Sequence, residues 1–142
     1  MRFVLLAVAL LVGNVARADG PPLRQAHVAT LESRLLLDAP TAERMQSLVD
    51  KYNAKLAPLQ RADVALLGEL RTQLALTVPD ARRLKSLSGE LVKNRQKLQS
   101  LRDERLRELQ KTLTPAEFSR LLVRWPSLTR QLRRDARRAR RG

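Results

Sequence analysis

The sequence predicts an all-α fold of four helices, the second and third forming a long, bent antiparallel α-hairpin. Three observations carry that prediction. Apolar residues recur at steps of three and four over most of the chain. Three cap-like clusters, at Asp38-Ala39-Pro40, Thr77-Val78-Pro79-Asp80 and Thr114-Pro115-Ala116-Glu117, divide the chain at near-regular intervals. Runs of alternating β-branched and polar residues, the mark of strands, are absent.

The elements follow in order. After Gly20-Pro21-Pro22, a first helix is expected over about residues 23–37, with Leu23, Leu31 and Leu35 on one stripe. Asp38 offers the next N-cap, with Pro40 in the first turn of a helix over about 41–75. Its apolar seam runs Met45, Leu48, Tyr52, Leu56, Leu59, Leu66, Leu70, Leu74, interrupted by Asp63. Thr77 offers the third cap, opening a helix over about 79–111 whose seam runs Leu84, Leu87, Leu91, Leu98, Leu101, Leu106, Leu109, Leu113, interrupted by Asn94. Thr114 caps the last helix, about 115–138. Pro115 occupies its first position, where a missing N–H is harmless, and Glu117 closes a capping box. Each long arm would measure roughly 50 Å at 1.5 Å per residue. Pro58 deprives Ala54 of its hydrogen bond, so a kink is expected near 54–58, and Pro126 should bend or break the last helix. Two narrow seams of this kind resemble those of coiled coils and bury little on their own, so a homodimer is expected.

Composition sets the compartment. Arg2, the apolar stretch Phe3–Val12 and the small residues of Ala16-Arg17-Ala18 form a secretory signal-peptide pattern, cleaved after Ala18. The stretch is too short to span a bilayer, which takes roughly 20 residues. Export across the inner membrane to a periplasm is the expectation. The chain divides into a signal peptide at 1–18, a helical domain at 19–130 and an arginine-rich tail at 131–142. With no cysteine there are no disulfides, thiol catalysis or cysteine zinc sites. The chain from Asp19 carries 26 Lys and Arg (28 less Arg2 and Arg17) against 14 acids, a net of +12. From Arg120 onward nine arginines face one acid, Asp135, a net of +8.

Leu113-Thr114-Pro115-Ala116-Glu117 resembles the LTxxQ motif of the Spy/CpxP-like periplasmic proteins, with Glu117 where that family has Gln. A second, degenerate copy falls at Leu37-Asp38-Ala39-Pro40-Thr41, keeping the Leu and a capping residue. Leu121-Leu122-Val123-Arg124-Trp125-Pro126 and the arginine end are similar to relatives described as heavy-metal resistance or metal-sensor proteins. The resemblance implies a curved, helical homodimeric cradle. It also implies one of three roles: binding unfolded or damaged proteins without ATP, docking on an envelope-stress sensor, or binding zinc, nickel or copper.

The residues weigh these roles differently. Metal binding has His27 as its one histidine and Met45 as the one methionine after the leader, where soft metals ask for clusters of imidazole or thiolate. His27 therefore reads first as a packed or surface histidine, and as a ligand only if two chains bring two copies together. No nucleophile–base pair, phosphate loop or cofactor motif is present, and no enzymatic activity or cofactor is expected. Arg130, Arg133, Arg134, Arg137, Arg138 and Arg141 recur at helical spacing and make one guanidinium face, a client or polyanion surface or simply a solvated, partly frayed end. Nucleic acid is disfavoured by the leader and by the scarcity of stacking aromatics, just Tyr52, Phe118 and Trp125. Anionic lipid, lipopolysaccharide or acidic clients suit the compartment better. The reading that follows is an ATP-independent periplasmic chaperone or envelope-stress adaptor. The runner-up is a metal-responsive periplasmic protein, and a third possibility is a basic protein binding envelope polyanions.

Overall fold

The computed structural model describes residues 21–141. The expected leader, residues 1–18, lies outside them. Among the described residues there are four helices and no strand: α1 (Pro21–Leu35), α2 (Ala39–Leu74), α3 (Ala81–Thr112) and α4 (Pro115–Ala139). The all-α expectation holds, with each helix boundary within a few residues of its expected place.

Each start has a local cause. Asp38 caps α2: its Oδ1 accepts from the Thr41 backbone N–H at 2.8 Å, and its carbonyl accepts from Ala42 at 3.0 Å. These Thr41 contacts hold the Asp38 carboxyl below its ordinary range. For α3 the cap is Asp80 rather than the expected Thr77. Asp80 Oδ1 accepts from the N–H groups of Arg82 at 2.9 Å and Arg83 at 3.2 Å, and the helix opens at Ala81. One carboxylate placed there satisfies two of the orphan donors of the first turn, more than a hydroxyl three residues earlier could reach. α1 ends on Leu36 in the left-handed region, φ 55°, and the Leu37 N–H reaches back to the Glu32 carbonyl at 3.1 Å. This is a Schellman closure in which Leu37 turns inward, 7% exposed, while Leu36 stays in solvent.

The chain forms two compact units, the first made of the residues up to 47 with those from 109 onward and the second of residues 48–108. In the first, described from residue 21, α1 packs along α4, joined by the opening turns of α2 and the close of α3. Leu35, Ala42, Leu109 and Leu121 are fully buried here, with Leu31 and Met45 nearly so. Burying a Leu or Met completely contributes about 1.5–3 kcal/mol. The Arg24 guanidinium adds surface contacts to Glu43 and Ser47, both at 3.0 Å.

The second unit is an antiparallel hairpin, the middle of α2 running against most of α3. From the base of the hairpin to its tip, partners rise in number along α2 and fall along α3, apart from the neighbouring Asn94 and Arg95. Tyr52 pairs with Glu104 at 2.9 Å, the Leu59 carbonyl with Asn94 at 2.8 Å, Asp63 with Arg95 at 2.9 Å, and Glu69 with Arg83. Its core is thin: Tyr52, Leu56, Leu87, Leu91 and Leu98. Asn94, expected as an interruption, is itself a buried seam member bonded across the hairpin. A polar residue in a seam fixes register because sliding leaves its amide without a partner. Leu106, expected in the seam, is 40% exposed. Arg105 takes that position instead, with burial lowering its pKa and its guanidinium 3.4 Å from the Asn53 side chain. The aliphatic stem of an arginine can cover a seam while its head finds a polar partner.

The two prolines leave their helices unbroken. α2 passes through Pro58 and α4 through Pro126. In each case the proline and the residue four before it, Ala54 or Leu122, are exposed, so water can satisfy the freed carbonyl.

Candidate functional site

α4 carries the clearest motif and most of the candidate residues. Thr114 Oγ1 accepts from the Glu117 N–H at 3.3 Å, and Glu117 Oε2 accepts from the Thr114 N–H at 2.8 Å. Leu113 beside them is buried, 6% exposed. The degenerate copy repeats the plan within the same unit: buried Leu37, capping Asp38, and a bond to the N–H of the third helical residue, Thr41. In both copies the leucine anchors the turn and the polar residue starts the helix. The motif is thus a folding device, and neither copy gathers the side chains of a reactive centre.

The arginines of α4 separate into two sets. Arg120 Nε donates to the Leu35 carbonyl at 2.8 Å, and Arg124 donates to the Arg34 carbonyl. These are the last carbonyls of α1, which have no partner within their own helix and lie at the negative end of its dipole. The inner arginines thereby cap α1. Arg130, Arg133, Arg134, Arg137, Arg138 and Arg141 are exposed. Asp135, the one acid in this stretch, is half-buried and lines a shallow cleft with Arg34, Gln131, Arg134 and Arg138. Beside them, Arg34, Arg124, Ser127, Leu128 and Gln131 line a cleft of about 200 Å³.

The hairpin shows what the sequence reading missed. Its tip exposes Leu74 (65%), Leu76 (48%) and Val78 (82%), and Val64 and Val92 are also in solvent. Arg71, Arg82, Arg83 and Lys85 flank the tip. Leu74, an expected seam member, is thus in solvent. The available signal was the change of spacing at Leu74-Leu76-Val78, which departs from the three–four step and places side chains off the buried stripe.

His27 lies half-buried on α1 among Leu23, Val28 and Leu31, with its Nε2 buried and without a hydrogen-bond partner. Among the described residues no three His, Asp or Glu side chains come together as a metal site would require. No helix of the described residues is long and apolar enough to cross a membrane.

No curated protein and no solved structure matches this sequence. A family model described as heavy-metal resistance does match, over residues 3–120, which span the two motif copies and both arms of the hairpin. The chain therefore belongs to the heavy-metal resistance family, which comprises Spy/CpxP-like, LTxxQ-type helical periplasmic proteins.

Proposed function

We propose that this member of the family is a binding protein that holds unfolded or partner proteins without ATP. The observation that carries the reading is the hairpin tip, where Leu74, Leu76 and Val78 stand in solvent, flanked along the chain by Arg71, Arg82 and Lys85, with Arg83 paired to Glu69 and Asp80 capping α3. Exposed apolar side chains retain partly unfolded chains, and flanking positive charge speeds and orients capture. The site is a surface and asks for no reaction chemistry. Export to the periplasm and assembly as a homodimer belong to the same proposal, the dimer because a two-helix seam leaves this much apolar surface uncovered.

A metal-responsive role is the second reading, and the family's own description supports it at least as well. The donor set does not fit a metal held within one chain, since among the described residues no two further ligands stand beside His27. That reading requires His27 from two copies, or a stress role in which metal damages the clients rather than binding here. Aggregation of a denatured reporter, followed with and without the protein and with and without zinc or copper, separates the two. Protection that is independent of added metal supports client holding. Protection, or any binding signal, that appears solely with metal and disappears in His27→Ala overturns it in favour of the second reading.

A further inference from the structure

We propose that the outward face of α4 docks on an anionic lipid membrane surface. The face is built from residues that recur in steps of three and four: Val123, Pro126, Arg130, Arg134, Arg137 and Arg141. All are exposed. Its first part is apolar, with Val123 82% and Leu122 50% exposed, and its remainder is guanidinium. Arg133 and Arg138 widen the basic part. The opposite side of α4 is already committed, with Leu121 and Leu128 buried, and on the flank between the two sides Arg120 and Arg124 cap α1. The exposed face is therefore held outward by the packing of the rest of the helix. Its arginines take no part in any ion pair among the described residues.

Charge complementarity selects the occupant. An array of six or more arginines over about three helical turns offers many equivalent phosphate contacts and little that would read one peptide sequence. An apolar patch in line with a basic stripe, on a helix too polar to span, is the pattern of a segment lying on a lipid interface. Leu122, Val123 and Pro126 would enter the headgroup boundary while the guanidiniums meet lipid phosphates.

The test is co-sedimentation of the protein, as isolated from cells, with vesicles of phosphatidylcholine alone or phosphatidylcholine with phosphatidylglycerol. The protein should pellet with the anionic vesicles far more than with the neutral ones, and added salt should release it. Arg130→Gln with Arg134→Gln and Arg137→Gln should weaken anionic binding by about tenfold or more, because each basic residue near the surface contributes to attraction. Val123→Ser should leave low-salt capture in place and reduce what survives at high salt. Circular dichroism should show unchanged helix in all variants, since every substituted side chain is exposed. Equal binding to both vesicle types, or anionic binding unchanged in the triple variant, would overturn the proposal. Release by inorganic phosphate at low salt would assign the face to free phosphate. Binding to polyglutamate without binding to vesicles would assign it to acidic protein segments, and either result overturns the membrane reading. Client protection is read in a separate assay, so its loss or retention leaves this outcome unaffected.

Discussion

The unit around α1 and α4 and the hairpin of residues 48–108 are made of the same material, leucine-rich helices punctuated by charge, and they use it in opposite ways. Around α1 and α4, helical segments approach each leucine from several sides, and Leu35, Leu109 and Leu121 are excluded from water entirely. In the hairpin two arms meet along one line. The same leucine content then yields Tyr52 and Leu87 buried but Leu74, Leu76 and Leu106 in solvent. Burial depends on how many neighbours a helix face has, not on how apolar the helix is. One unit therefore supplies stability, and the other is left with apolar surface available for binding.

Core truncations should show the largest effect and test that division first. Leu121→Ala should cost about 3–5 kcal/mol, the upper part of the range for a fully enclosed leucine, measured by chemical denaturation. Leu91→Ala, at 8% exposure in the thinner seam, should cost about 2 kcal/mol because its surroundings can collapse or admit water. Equal costs would break the contrast between the units.

Register comes next. Asn94→Ala removes the bond to the Leu59 carbonyl and should destabilise the hairpin by about 1–2 kcal/mol. Asn94→Leu should restore or raise stability while loosening alignment, seen as cross-links between arms at shifted positions. If the leucine variant keeps a single register, the amide is not what aligns the arms.

Backbone changes are smaller and of known sign. Leu36 holds φ 55° while 65% exposed, so Leu36→Gly should stabilise the end of α1 by about 1 kcal/mol. Gly68 and Gly89 sit inside the two hairpin arms, and a Cβ at either meets nothing within 4 Å. Alanine there should add up to about 1 kcal/mol each. Hydrogen exchange near the tip should slow in the two alanine variants, and unchanged exchange would show the arms already closed there.

The smallest effect concerns pH. Burial pushes the Tyr52 phenol above its ordinary value of 10.0, and its bond to Glu104 adds to the shift. A phenol whose folded value is raised contributes stability that is fully present below its unfolded value. That contribution is lost as pH rises through the folded value. The denaturation midpoint should therefore fall more steeply above about pH 10 in the wild-type chain than in Tyr52→Phe. Parallel curves would show that the hairpin seam admits water at Tyr52.

Much of this was legible in the sequence because it is local. Thr114, Pro115 and Glu117 specify a helix start within four residues, and Asp38 does so nearly as compactly. What was not legible depended on a second element. Thr77 read as the cap of α3, and Asp80 took that place because its oxygen meets two N–H groups once Ala81 opens the helix. Arg105 and Leu106 are adjacent in the seam's period, and the partner arm decided that the arginine stem enters. The division of α4's arginines into those capping α1 and those facing outward required knowing where α1 ends. Leu36, in a conformation that a leucine rarely takes, gave no such signal.

The central claim, that the hairpin tip binds clients while the other unit holds the fold, is tested most directly by one variant carrying Leu74→Ser, Leu76→Ser and Val78→Ser. All three side chains are largely in solvent, so thermal stability should move by no more than about 0.5 kcal/mol per site. Protection of a denatured reporter from aggregation should fall sharply at the same protein concentration. Stability and protection both unchanged would contradict the claim and place client binding elsewhere on the molecule.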